Sequence, residues 1–503
     1  MDVLQSCSTN ALIFLFLCGL GVFLWRYFPW LATETLSFVI NRYLLFRYPI
    51  RRHGSGIPLP SCEYRWPNGQ GDRGKFLDGI ANSSNWEKKY GTIYRIWSGM
   101  KPEIVLTRAE HLRTVFKDSN NHMKAVDNHS GYLMSRILGQ CVGLVSQQQW
   151  ETVRKVTEGP FTRKASSAYV QNTRVKVREY LKELKCGPNL SQGKLHPAWD
   201  MKMLPFLVVA DIIYGRLSAD MVHDLRELAP LREELFLYVI KGGIARFHWS
   251  QYLPTRANAL LAQFRKRWRA FNEWAYQRAK DLQNGAPIIA MFEAAKSGEI
   301  SEEQLLQTLD ETLYANLDVT TGALSWNLVF FAAYPHVQDK VRAEIASRAD
   351  DMEAYILSSS SYLAACIAES SRLRPLAAFS VPQSAPTDRV VDGYLIPAGT
   401  NFVVDSYALN IRHGFWGADA EEYRPERWVE MSSSDLRYHF WRFGFGPRQC
   451  MGKYVADIIL RALYVELLSD HRLDLLDKDQ DWSIDPNSWI THPQFLLACK
   501  PLA

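Results

Sequence analysis

Phe443-Gly444-Phe445-Gly446-Pro447-Arg448-Gln449-Cys450-Met451-Gly452 decides how this chain reads. One cysteine follows two glycines and an arginine, and a helix-forming run, Tyr454 to Leu468, begins just beyond Gly452. Gly444 and Gly446 allow a tight turn and a close approach to a flat macrocycle, where a Cβ would collide. Phe443 can shield the sulfur from water. Arg448, two residues before Cys450, can reach an acidic arm of a cofactor. Cys450 lies near a helix N-terminus, whose partial positive charge favours a thiolate. The arrangement suits a thiolate held beneath a haem iron, a ligand that pushes electron density onto the metal and favours O–O cleavage. The plainer alternative is a structural cysteine buried in a glycine-rich turn.

Working outward, the 503 residues carry a net charge of only +5, so no bulk nucleic-acid footprint is present. The eight cysteines are scattered, with no CxxC pair, which suits a reducing compartment and argues against structural zinc and secretion. Length alone suggests two or three domains. The motifs nevertheless run from about Trp150 to Ala456 without a linker-like break, so one large catalytic domain, 54–503, is expected behind an N-terminal segment, 1–53.

That segment opens with ALIFLFLCGLGVFLW, Ala11 to Trp25, and extends to Leu31 with Arg26 as its one charge. The window matches a bilayer core of roughly 30 Å. Basic residues then accumulate at Arg42, Arg47, Arg51 and Arg52, while Asp2 precedes the window. By the positive-inside rule this predicts a single transmembrane helix with the body in the cytosol. A cleaved signal peptide and a buried core helix are the competing readings. Leu36, Val39, Ile40, Tyr43 and Leu44 fall at helical spacing and could lie along a membrane surface. The Asn-x-Ser sequons at Asn82, Asn128 and Asn189 read as chance matches if the body is cytosolic. The rest of the chain reads as mainly α with a minor β region, including short strands at Ile93 to Trp97, Glu103 to Thr107 and Val390 to Ile396.

Three further patterns accompany the cysteine loop. Trp150 and Arg154 share one helix face. Glu369 and Arg372 stand three apart on a helix, ahead of Pro425-Glu426-Arg427-Trp428. The helix starting at Ser301, with a Ser-x-x-Gln capping box, carries Ala315-Asn316-Leu317-Asp318-Val319-Thr320-Thr321. Together with the loop, which fills every position of Phe-x-x-Gly-x-Arg-x-Cys-x-Gly, these motifs resemble the cytochrome P450 family over almost the whole chain. The constellation resembles membrane-bound, microsomal class II members, and the Asn-Leu-Asp-Val-Thr-Thr variant is similar to fungal secondary-metabolite enzymes, including those making diketopiperazine toxins.

The resemblance implies a P450 fold, haem b with Cys450 as axial iron ligand, and a monooxygenase acting on a hydrophobic small molecule at the endoplasmic reticulum membrane. It implies haem contacts from Trp150, Arg154, Phe443, Gly444, Arg448, Gly446 and Gly452, and a structural ion network of Glu369, Arg372 and Arg427. It also implies electrons from NADPH-cytochrome P450 reductase, with cytochrome b5 as a further donor, and Lys453 and Arg461 as basic contacts near the thiolate. Two positions depart from the pattern. Gln383 stands where many relatives have a haem-binding arginine, and Val319 stands where the proton-delivering threonine is usual, which leaves Asp318 and Thr320 as the catalytic candidates. Two other classes stay open: an isomerase, dehydratase or ring-forming oxidase on the same fold, and a non-catalytic membrane haem sensor. The stretches expected to shape the substrate site are about 120–145, 235–250, Phe379 to Val381 and Trp489 to His492, mostly apolar or aromatic.

Overall fold

The computed structural model describes residues 28–124, 131–432, 434–482, 484–485 and 488–502, with Gly19, Gly21, Phe23 and Arg26 before them. Most of the apolar stretch 11–31 therefore lies outside the described residues, as does Asn128. Among the described residues, no helix is long and apolar enough to cross a membrane.

Helices build most of the molecule. The longest path runs from Glu302 to Ala333 in three parts: an α-helix to Asp310, a π-helical turn Glu311–Ala315, and an α-helix from Asn316. Its start is fixed by reciprocal bonds, Gln304 N–H to Ser301 Oγ at 3.0 Å and Ser301 N–H to Gln304 Oε1 at 2.8 Å. Those two bonds satisfy donors that a helix end leaves orphaned. Around it pack Met203–Tyr214, Ala219–Lys241 and Lys453–Asp470, whose inward faces form one large apolar core. A buried ion pair, Arg232 Nε to Asp310 Oδ1 at 2.7 Å, ties Ala219–Lys241 to the long path.

The β component is small. β1 (Ile93–Ser98), β2 (Lys101–Leu106), β3 (Met123–Lys124), β5 (Gln383–Ser384) and β8 (Asn401–Val404) form one sheet in the order β1-β2-β8-β5-β3. β4 (Lys194–Leu195), β9 (His471–Leu475) and β10 (Leu497–Pro501) form a second. Val390 to Ile396, read from sequence as one strand, is a hairpin of β6 (Arg389–Val391) and β7 (Tyr394–Ile396). The turn between them is Asp392-Gly393, at φ 48° and 78°. Both central residues at positive φ suit a two-residue hairpin turn, and Asp-Gly is a sequence that accepts it.

Helix Pro29–Arg47 docks on the body through Ile40 and Leu44, which meet Tyr64 and Trp97. Its face is thus divided. Ile40 and Leu44 turn inward, whereas Val39 and Tyr43 remain exposed beside Phe38 and Phe46.

Candidate active site

The cysteine loop is held at both ends. Cys450 N–H donates to Phe443 O at 2.9 Å, closing the turn through Gly444 and Gly446, whose φ values are 79° and 69°. A Cβ on Gly446 would come within 2.0 Å of Ser119 Oγ, so that hydroxyl would have to rotate away, and the positive φ is the stronger reason for glycine here. Gly452 caps helix Lys453–Asp470. Cys450 keeps exposed surface, yet the protein around it is dense enough for burial to push its thiol above the ordinary range. The Gly452 N–H and the Arg154 and Lys453 cations pull the other way. Phe443 lies under the Arg442 guanidinium at 4.4 Å.

Behind the loop sits a buried ionic brace. Glu369, Arg372 and Arg427 have no exposed surface. Arg372 grips Glu369 with two nitrogens at 2.9 and 2.8 Å, Arg427 Nε reaches Glu369 Oε1 at 2.9 Å, and Trp428 Nε1 reaches Oε2 at 2.8 Å. Arg372 Nη1 also donates to Asn410 O at 3.1 Å, and Asn410 in turn donates to Trp441 O and accepts from Trp441 N–H, at 2.9 and 2.8 Å. Trp441 is two residues before Phe443, so the brace reaches the start of the loop through Asn410. Asn410, and the part Trp428 plays beside Arg427, went unread in the sequence because only packing gives them a role.

Trp150 and Arg154 fall on helix Gln147–Thr157. The Arg448 guanidinium lies 4.7 Å above the Trp150 ring, and Arg448 Nη2 donates to Val145 O at 2.8 Å. Its Nη1 is buried without a partner, and burial lowers its pKa to about 10. Arg154 is already committed, to Glu158 at 2.6 Å and to Gln449 O at 3.4 Å. Two residues missed in the sequence complete this corner. Lys124, at the end of β3, is pushed down to about 7, first by burial and then by Arg448. Glu311, in the π turn, accepts the Gly143 N–H at 2.9 Å and is pushed up by burial. A charged residue recurring on the stripe of Ala315 and Asp318 was a signal for Glu311; Lys124 gave none. Lys453 meets Gln449 Oε1 at 2.7 Å, whereas Arg461 is buried and donates to Ile356 O at 2.9 Å. Arg461 therefore offers no surface contact: eight residues turn a helix by about 80° beyond two full circles, enough to carry it inward.

On the long helical path, the side chains of Ala315 and Asn316 lie outside the described part. Asp318 Oδ2 accepts Trp489 Nε1–H at 2.9 Å, its Oδ1 lies 3.8 Å from Lys202 Nζ, and its carbonyl faces His492 Nε2 at 3.0 Å. Lys202 also meets Glu233 Oε1 at 2.8 Å. These side chains border a cavity of about 320 Å³. The cavity is more polar than the sequence suggested, with Lys202, Arg232, Glu233 and Asp318 beside Phe236 and Trp489. Thr321 lines it too, but Thr320 does not and is 5% exposed. Of the stretches expected to shape a substrate site, Phe379 instead packs on Trp86 in a separate cluster, at 5.5 Å.

Residues 75–501 match the cytochrome P450 family model. The chain is 56% identical over 463 residues to cytochrome P450 monooxygenase aclC of Aspergillus oryzae, covering 91% of this chain and 95% of that protein. It is 49% identical to cytochrome P450 monooxygenase asaD of Aspergillus flavus, covering 93% and 91%. It is 42% identical to cytochrome P450 monooxygenase gliC of Aspergillus fumigatus, covering 93% and 94%. The chain belongs to the cytochrome P450 family and is a haem-thiolate oxidoreductase served by a redox partner. The residues present fit that cofactor: a cysteine at a helix N-terminus, and two half-buried cations, Arg448 and Lys124, of which Arg448 keeps Nη1 buried without a partner.

Proposed function

We propose that this chain is a membrane-anchored monooxygenase that inserts one oxygen atom from O2 into a hydrophobic small molecule in fungal secondary metabolism. The observation that carries it is Cys450, presented at the N-terminus of helix Lys453–Asp470 by a loop braced through Asn410. Cys450 Sγ would hold the haem iron, with Phe443 shielding the sulfur and Gly444, Gly446 and Gly452 giving the loop its close approach. When bound, haem supplies the O2 activation that thiolate ligation favours. Trp150 and Arg448 would hold its acidic edge, and Arg154 would steady the loop beside it through the Gln449 carbonyl. Glu369, Arg372 and Arg427 keep the loop rigid.

Asp318 moves a proton toward the haem pocket from its Oδ1, drawing on Lys202, Glu233 and water in the adjoining cavity. Trp489 holds that carboxylate in place. Electrons come from NADPH-cytochrome P450 reductase, with cytochrome b5 as a further donor, on the face that carries Lys453. Residues 1–53 form the anchor and juxtamembrane segment, and 54–503 the catalytic domain in the cytosol at the endoplasmic reticulum. The exposed Phe38, Val39 and Phe46 on helix Pro29–Arg47 favour a membrane nearby.

The test compares metabolites of the native host carrying the intact gene with those of a host carrying Cys450→Ser. The intact gene should consume a compound that accumulates in the variant and yield a product heavier by one oxygen atom. A product that differs by water, or only in connectivity, would instead favour the dehydratase or isomerase class.

A further inference from the structure

Three side chains with metal-ligating chemistry meet on the surface at the approach to the cysteine loop. Glu110 lies in the first turn of helix Ala109–Phe116, His413 caps the short turn Gly414–Trp416, and His439 stands four residues before Phe443. One donor atom from each lies within 4.8 Å of the other two. Glu110 Oε2 is 4.0 Å from His413 Nε2, and the two imidazole ring centres are 5.4 Å apart at 66°. A tetrahedral zinc ion holds two imidazoles with ring centres roughly 5 Å apart and donor atoms about 3.4 Å apart. The histidines therefore stand close to coordinating separation. The Glu110 side chain, 66% exposed, can close the remaining gap by turning.

The rings are set by groups outside the cluster. His439 Nδ1 lies 2.8 Å from Asp435 O, and a carbonyl only accepts, so Nδ1 carries the proton and Nε2 of the neutral ring keeps its lone pair. Metal-binding imidazoles are oriented in the same way, by a bond from the other nitrogen to a carbonyl or carboxylate. Phe415 stacks on the His439 ring at 4.0 Å and 15°. Tyr438 is buried at φ 70°, an angle rare for an aromatic residue, and His439 after it is left half-exposed. His413 is the less ready partner. Its Nδ1 accepts the Phe415 N–H at 3.2 Å, so coordination at Nε2 moves the ring proton to Nδ1 and gives up that long bond. Two imidazoles and one carboxylate select a borderline transition metal over magnesium or calcium, which take oxygen ligands.

We propose that Glu110, His413 and His439 form a surface site for one zinc-type divalent cation, with water completing its coordination. The ion would clip helix Ala109–Phe116 to the segment ahead of the cysteine loop. Phe116 of that helix packs on Trp441 and Phe445, with ring centres 5.8 and 6.2 Å away. Bound metal would tighten this contact and, by favouring the folded chain, stabilise it. The site shares no residue with the cavity beside Asp318 and does not depend on the assignment of Cys450.

The test titrates Zn2+ into the full-length, chelator-washed holoenzyme in detergent at neutral pH, reading the heat of binding and the melting temperature. The native chain should take up one zinc ion at micromolar concentration, with a rise in melting temperature of about 1–3 °C at saturation. Three variants should each weaken this site more than about tenfold and cancel the rise, since even outer-shell partners of a metal cost that much. They are His439→Phe, which keeps the stack on Phe415, His413→Asn, which keeps a cap for the Phe415 N–H, and Glu110→Gln. Millimolar Mg2+ should not compete. Unchanged zinc binding in His439→Phe would overturn the site and assign the uptake to thiols such as the exposed Cys186. Native uptake only at millimolar zinc would also overturn it, leaving a solvated histidine pair. Should His439→Phe fail to fold, Glu110→Gln, an isostere at an exposed position, decides: weaker binding supports the site and unchanged binding refutes it.

Discussion

Asp318 and Thr320 stand two residues apart and point to different sides of one helix. Two steps turn a helix by about 200°, and the contacts agree: Asp318 meets Trp489 and borders the cavity, whereas Thr320 is packed away from it. Asp318→Asn should therefore slow product formation about a hundredfold at unchanged haem content. Thr320→Ala should leave the ratio of product to NADPH consumed within about twofold, because its hydroxyl is off the path. Both rates are read in reconstituted turnover with peroxide measured in parallel, and equal losses from the two variants would remove Asp318 from its special place. At this scale the sequence was most legible where function is local. Cys450, Gly446 and Arg448 sit within five residues and declare themselves by spacing. Lys124 and Lys202 do not, since each is an ordinary lysine until strand pairing or helix packing brings an arginine or a carboxylate beside it.

Among the elements, the brace around Glu369 is the most exposed to test. It joins helix Tyr362–Leu373 to Arg427 and, through Asn410, to the cysteine loop. Glu369→Ala would strand two buried guanidinium groups, so a loss of about 3–5 kcal/mol in stability is expected. Denaturant melts of the holoenzyme check this, and a change below about 1 kcal/mol would mean that the carbonyls of Ala420 and Asp419 suffice for both arginines. The i, i+3 spacing made Glu369 and Arg372 legible as a pair. Their link to Trp441 was not, because it runs through Asn410, a residue with no sequence signature. Helix starts read well where chemistry is local, as at Ser301 and Gln304. The π turn Glu311–Ala315 did not, since nothing in its composition distinguishes it from a regular helix. The β6–β7 hairpin was carried by Asp392-Gly393, a turn signal hidden inside an otherwise strand-like run.

For the whole molecule, the proposed anchor predicts that protease added to intact microsomes digests the body and leaves a small N-terminal fragment protected. Glycans at Asn82, Asn128 or Asn189 would reverse the topology. At Asn189 the amide donates to both Asp200 carboxylate oxygens, at 3.0 and 3.1 Å, bonds that a glycan would disturb. Stability should also depend on pH in a definite sense. Burial is the largest influence on His111, His122 and His492, and holds all three below the ordinary histidine range. The unfolded chain therefore binds protons that these folded sites refuse, and stability is lost as pH falls through about 6.5. Asp310 and Asp405, raised by burial to about 6, take up protons in the folded state and oppose the loss only lower down. Melting temperature should therefore drop between about pH 7 and pH 6, and a rise over that window would contradict the assignment. The central claim is that one sulfur, Cys450, makes this chain a haem-thiolate enzyme. The most direct measurement is the ferrous–CO spectrum of the native chain beside Cys450→Ser and single replacements of the other seven cysteines. The thiolate-type band should vanish in Cys450→Ser alone and persist in the rest; its survival in Cys450→Ser, or its loss on replacing another cysteine, would contradict the account.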